Sequence, residues 1–207
     1  MLTTLTIESL ILWLKENYIE ILGFITSLIC VWLNIRANIW GWFWAIISSA
    51  ISAVFFYKLQ LFGDMNLQFF FIVASIYGWY EWKFGEKDKT TQKLTITFLP
   101  NYFIVWVSIA SVACFGVVFL VLKQLKGDFL LMDAITTTLS IVATWLMARK
   151  YVENWILWII ADVLYVGMYF QKEAYLYTLL YAIFLAMATK GFIDWRKKSF
   201  LEAKVLA

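Results

Sequence analysis

Residues 149–170 read RKYVENWILWIIADVLYVGMYF, from Arg149 to Phe170. After the basic opening, the stretch from Trp155 onward carries a single charge, Asp162, in sixteen residues. That is too long for a buried strand and near the ~20 residues with which a helix crosses a bilayer. Six more stretches share this character, at 18–34, 40–57, 66–83, 102–122, 130–147 and 175–195. Composition agrees. The chain has 207 residues, 63% apolar and 15% charged, with 20% aromatic, against about 45–50% apolar and about 25% charged in soluble domains. A soluble domain of ~200 residues leaves at least a quarter of its surface exposed and has no place for so much apolar area. A water-soluble enzyme is therefore excluded, and so is disorder, which needs low hydrophobicity. The expected fold is all-α: a polytopic membrane protein with seven transmembrane helices.

The same composition limits the chemistry. There is no histidine, so the commonest metal ligand and general base are missing. Cys30 and Cys114 stand alone in apolar segments and read as small buried hydrophobes. No phosphate-binding glycine loop occurs. The expectation is no cofactor, no metal and no catalytic residue. A net charge of +3 gives no reason to expect nucleic acid as a partner. The first 17 residues lack a basic stretch and a small-residue cleavage pattern, so they are expected to stay with the chain. Leu5–Leu14 reads as a short interfacial helix ahead of the first span.

Loops sort by charge. One side holds Arg36, Lys83, Lys87, Lys89, Lys93, Arg149, Lys150, Arg196, Lys197, Lys198 and Lys204, and the other holds only Lys15, Lys58, Lys123, Lys126 and Lys172. The positive-inside rule puts the richer side in the cytoplasm, with the N-terminus outside and the C-terminus inside. Short turns are expected at 60–64 and 126–128. The polar segment 85–100, ending at the chain's only proline, is the one linker-like stretch.

At an offset of 113 residues the chain resembles itself. Ser27 falls on Ser140, Trp32 on Trp145, Leu33 on Leu146, Arg36 on Arg149, Trp42 on Trp155, Ile47 on Ile160, Phe71 on Phe184, Gly78 on Gly191 and Trp82 on Trp195, and Glu81 meets Asp194. Three spans would then repeat around a connector, a 3+1+3 arrangement. Because three and one are both odd, the second unit returns in the same orientation, giving parallel repeats. The organisation expected is an extracytoplasmic segment 1–17, a first three-helix unit 18–84, loop and connector 85–127, a second unit 128–196 and a cytoplasmic tail 197–207.

Polar residues inside spans carry the function, since a charge at mid-bilayer costs ~2.5–3.5 kcal/mol on insertion scales. Trp155, Trp158, Asp162, Tyr165 and Tyr169 follow at spacings of 3, 4, 3 and 4, on one helix face, with Asn154 at its start. Flat rings beside a buried carboxylate suit a cationic heterocycle, with cation–π attraction of up to ~2 kcal/mol. A plain interfacial anchor would explain Trp155 alone. The second span sets Trp42, Ala45, Ser49, Ser52 and Phe56 on the matching face. The third offers Gln68, with Asp64 and Asn66 nearby, and the seventh offers Tyr177 and Tyr181, with Tyr181 matching Gln68 in the repeat. The Asp133, Thr137, Ser140 and Thr144 stripe reads as hydroxyls bonding their own backbone. An intramembrane enzyme would need a second acid facing Asp162, and a channel would need a continuous polar lining.

The run from Ala148 to Trp158 followed by Asp162, together with Ile76-Tyr-Gly-Trp79, resembles the PnuC family of bacterial vitamin transporters. The resemblance covers nearly the whole chain. It implies facilitated diffusion of a water-soluble vitamin through the bacterial inner membrane, a fold like that of SWEET sugar transporters, a homotrimer, and a cytoplasmic kinase that traps the substrate. It also implies that Trp155 and Trp158 stack the substrate ring. Members carrying nicotinamide riboside often have Asn where this chain has Asp162, and an Asn in the second span where it has Ser48-Ser49. An ionised Asp only accepts hydrogen bonds, which suits the amino group of thiamine, the substrate of the PnuT branch. The reading therefore favours thiamine, with nicotinamide riboside as the alternative.

Overall fold

The computed structural model describes residues 7–58, 62–85, 94–125, 130–171 and 175–206. They form seven helices: α1 Ile7–Ile35, α2 Trp40–Lys58, α3 Phe62–Phe84, α4 Asn101–Leu125, α5 Leu130–Ala148, α6 Asn154–Gln171 and α7 Tyr175–Leu206. The turn expected at 126–128 and the basic loop at 86–93 lie outside the described residues, as does Lys172.

Apart from α3, which starts at Phe62 inside the turn expected at 60–64, two ends differ from expectation. The first is α1, which absorbs most of the stretch read as a separate interfacial helix. Between Ile7 and Ile35 there is no proline and only Gly23, so nothing stops the helix. At the other end α7 continues through the expected tail to Leu206, because Arg196–Lys204 consists mainly of good helix formers. Its 32 residues span about 48 Å at ~1.5 Å each. That exceeds the ~30 Å hydrocarbon core, so the last turns project beyond it.

Five helices are long and apolar enough to cross a membrane by length and composition: α1, α2, α4, α5 and α7. The other two, α3 and α6, carry the polar and aromatic residues singled out above, including Asn66, Gln68, Glu81, Asn154 and Asp162.

The helices pack in the order α1, α2, α3, α5, α6, α7, and α7 returns to α1, closing a ring of six. Outside that ring, α4 packs on α5 and leaves Tyr102, Val105, Trp106, Val112 and Val117 exposed, the surface a lipid-facing helix needs.

The same turn closes α1 and α5. Ala37 N–H donates to Asn34 O and Asn38 N–H to Leu33 O; 113 residues on, Lys150 N–H donates to Met147 O and Tyr151 N–H to Leu146 O, at the same 2.9 and 3.0 Å. This is a Schellman ending. It places Ala37 at φ 54° and Lys150 at φ 56°, the left-handed region that usually takes glycine. Lys150 is held there by packing: its ammonium donates to Leu94 O at 2.9 Å and lies 4.8 Å from the Trp82 ring. Glu153 and Glu202 accept from the Leu99 and Ile96 N–H groups. Residues 94–100 are thereby strapped across the ends of α5 and α7.

Candidate functional site

Trp155 opens the α6 face, but its ring is enclosed. It is 1% exposed, lies on Gly191 so closely that a Cβ there would stand 2.7 Å from the indole, and meets Trp195 edge-to-face at 5.5 Å. Trp42 repeats this arrangement on Gly78 and against Trp82, also at 5.5 Å. Trp82 and Trp195 are in turn 6.2 Å apart, so four indoles run as one chain from α2 through α3 and α7 to α6. The outer two are a correction to the sequence reading: Trp42 and Trp155 fill helix contacts and have no free face for a substrate ring.

The inner two tie the helices together. Trp82 Nε1 donates to Met147 O at 3.1 Å, and Trp195 Nε1 donates to Asn34 O and Ile35 O at 3.1 and 3.0 Å. Helix α3 is thus bonded to the end of α5, and α7 to the end of α1. Beside the first of these links, Arg149 pairs with Glu81 at 2.6 Å. Burial works against the Arg149 charge, and Glu81 with the Tyr77 phenol more than restores it, holding the guanidinium above its usual range. The matching residues Asp194 and Arg36 are otherwise engaged. Asp194 accepts from Lys190, and Arg36 stacks 4.2 Å from the Trp32 ring. Trp82, Trp195, Glu81 and Arg149 were visible beforehand only as repeat matches, with no role attached.

Trp158, one turn deeper on α6, differs from Trp155. It is only half-buried, against the buried cluster, and its indole N–H, like those of Trp42 and Trp155, is enclosed without a hydrogen-bond partner among the described residues. One further turn along is Asp162, 4% exposed. Among the described residues no ion pair or hydrogen bond reaches its carboxylate; the groups within its electrostatic reach are the Tyr165 and Tyr181 phenols.

Beyond Asp162 the phenols of α6 and α7 interleave. Tyr165 stacks on Tyr181 at 4.4 Å, Tyr181 on Tyr169 at 5.3 Å and Tyr169 on Tyr177 at 5.2 Å, all within 27° of parallel. Tyr165 reaches Thr136 and Ser140 of α5, and Tyr177 reaches Glu20 of α1, a partner the sequence reading missed. The ladder thus uses the ring faces expected to be open. The α5 hydroxyls bond their own backbone as expected, Ser140 to Thr136 O and Thr144 to Ser140 O.

The remaining candidates divide. Ser49 is buried on α2, and Gln68 is half-buried on α3. Asn66 is exposed and lies two residues from Gln68, hence on the opposite side of the helix; it leaves the site. Asn154 is also corrected. Its amide donates to Tyr151 O at 2.6 Å, which makes it a part of the turn that starts α6. The Asp64 side chain lies outside the described residues. A cavity of about 110 Å³ lies elsewhere, against Met132, Gly167, Met168 and Gln171.

Residues 17–197 match the Nicotinamide mononucleotide transporter family. The chain belongs to this family. The transporter is 31% identical over 204 residues to the nicotinamide riboside transporter PnuC of Escherichia coli K12, covering 86% of this chain and 85% of the relative. It is 27% identical to the riboflavin/roseoflavin transporter RibM of Streptomyces davaonensis, with 87% and 85% covered. The crystal structure of the vitamin B3 transporter PnuC superimposes with a TM-score of 0.74 at 24% identity, over 92% of this chain and 85% of that one. The transporter therefore has the fold of that carrier, and it is a multi-pass membrane transporter of the vitamin class and not an enzyme. The names these relatives bear are those of nicotinamide riboside and riboflavin carriers, and they lend no support to the expected preference for thiamine.

Proposed function

We propose that the transporter carries nicotinamide riboside across the bacterial inner membrane by facilitated diffusion, with one site per chain at Trp158 and Asp162. The observation that carries this reading is the α6 face: a half-buried indole, one turn from a buried carboxylate that no cation among the described residues neutralises. A pyridinium ring answers both, stacking on the indole and balancing the carboxylate. Gln68 and Ser49 supply donors and acceptors for a carboxamide or ribose. The similarity to nicotinamide riboside carriers supports the choice of substrate over thiamine.

The mechanism is a rocking of two three-helix units, α1–α3 and α5–α7, as parallel repeats with α4 as connector. The equivalent turns at Ala37 and Lys150 and the equivalent tryptophan contacts support that division. The helix ends joined by Trp82 and Trp195 carry the basic residues, so this end is cytoplasmic, the N-terminus is outside, and the arrangement described is closed inward. Opening breaks the crossed tryptophan bonds and releases substrate to a cytoplasmic kinase, whose product cannot return. The homotrimer belongs to the same proposal and rests on family resemblance.

The test is a titration of purified transporter followed by tryptophan fluorescence. Nicotinamide riboside is expected to quench saturably and more tightly than thiamine or riboflavin. Tighter binding of either competitor would overturn the substrate assignment.

A further inference from the structure

The four stacked phenols run outward from Asp162 and end on a second acid. On α6, Tyr165 and Tyr169 stand three and seven residues beyond Asp162, about 4.5 and 10.5 Å along the helix. Tyr181 and Tyr177 of α7 alternate with them, the ring centres 4.4 to 5.3 Å apart. The outermost rung, Tyr177, reaches Glu20 of α1. Glu20 lies 15 residues before the end of α1 at Ile35, about 22 Å, which sets it in the outer part of a ~30 Å core. A phenol gives this carboxylate one hydrogen bond and no charge, so acceptor sites and the negative charge remain. No ion pair reaches Glu20 among the described residues. Lys58 lies 5.7 Å from the Tyr18 ring, and Tyr18 is two residues from Glu20, on the other side of α1. Aromatic faces thus run between Glu20 on the outside and Asp162, 4% exposed, on the inside. A flat cation is attracted to every group along that line.

Resting on the reading of Trp158 and Asp162 as a site for a cationic ring, we infer that Glu20 is a specificity-determining residue for entry: with the Tyr177 ring it forms an outer subsite that receives the cationic heterocycle before it reaches Asp162. The substrate ring lies on the Tyr177 face and its charge pairs with Glu20. It moves inward by parting successive rungs. Each phenol–phenol contact that breaks is replaced by a phenol–substrate contact of the same stacked kind, with cation–π attraction added. Nothing is consumed on this path, so the subsite speeds entry and leaves the equilibrium of facilitated diffusion unchanged. A neutral molecule of the same shape gains the stacking and not the charge pairing.

The experiment measures initial rates of radiolabelled nicotinamide riboside entry into bacterial cells that make the full chain and no other carrier for it. Two variants separate the charge from the tie between helices. Glu20→Gln removes the charge and keeps an acceptor for the Tyr177 phenol. Tyr177→Phe keeps the charge and the ring face and releases the carboxylate from the phenol. Glu20→Gln is expected to raise KM about 5–10-fold, with little change in the maximal rate, and Tyr177→Phe to lower KM about twofold. A purely structural tie between α1 and α7 gives the reverse order, with Tyr177→Phe the more impaired. An unchanged KM in Glu20→Gln, a raised KM in Tyr177→Phe, or a Glu20→Gln chain that does not fold overturns the outer subsite. Entry of nicotinamide riboside through the unmodified chain then leaves the reading of Trp158 and Asp162 standing. If the unmodified chain carries no cationic vitamin, both fall together.

Discussion

At the scale of single residues, Trp155 and Trp158 look alike in the sequence and sit differently in the fold. Helical spacing places both on one face, but it is blind to what the neighbouring helix offers. Gly191 takes the Trp155 ring and encloses it, while Trp158 stays half-buried. The signal for the first was present: Trp42/Trp155, Gly78/Gly191 and Trp82/Trp195 recur together at one offset, as parts of one contact should. Asp162 was legible because a lone acid in an apolar helix is rare. Asn66 was not, because a short polar side chain near a helix end carries no such signal. Trp158→Ala should weaken nicotinamide riboside binding ~10–30-fold, the loss of ~1.4–2 kcal/mol of ring attraction, and leave the melting temperature little changed; fluorescence titration and thermal denaturation in detergent check the two halves. Gly191→Ala should act the other way. Its methyl must push Trp155 aside, at ~1–3 kcal/mol, so melting falls. In Gly167→Ala the methyl meets open space and melting should hold or rise by the helix-propensity gain.

Among the elements, the seven helices were legible from length and hydropathy, and their ends were not. Nothing in the residues around Tyr18 or Trp195 marks a stop, so α1 and α7 run on. The turns after α1 and α5 escaped notice for a different reason: Ala37 and Lys150 are ordinary residues in a glycine conformation, kept there by neighbours distant in sequence. The links from α3 to α5 and from α7 to α1 are each one indole N–H on backbone carbonyls, a bond worth ~0.5–1.5 kcal/mol. Trp82→Phe keeps the ring and removes the bond. Hydrogen exchange at the α3 and α5 ends should then quicken about 2–10-fold, with the α1/α7 end unchanged; equal exchange at both ends would show that the two junctions do not open separately. Glu81→Gln should loosen the same junction and spare its counterpart, where Asp194 is held by Lys190.

For the whole molecule, the ring of six helices with α4 outside puts the functional groups unevenly on two similar halves. Where α6 carries Trp158, Asp162 and Tyr165, α2 carries Ala45, Ser49 and Ser52. On the proposed reading one half supplies the chemistry and the other supplies room, so that two parallel repeats would serve a site that is not symmetric. The high aromatic content divides three ways in this picture: many rings lie exposed on the outer surface, as Trp40, Tyr102 and Trp106 do, some tryptophans bind the helices to one another near the basic end, and a small set on α6 and α7 surrounds Asp162. The claim on which all of this turns is that a cationic vitamin binds against Trp158 and Asp162. Equilibrium binding of nicotinamide riboside to the purified transporter, compared with Trp158→Ala and Asp162→Asn, tests it most directly. The account predicts saturable binding by the unmodified chain that weakens at least tenfold in each variant. Equal affinity in all three proteins would contradict it.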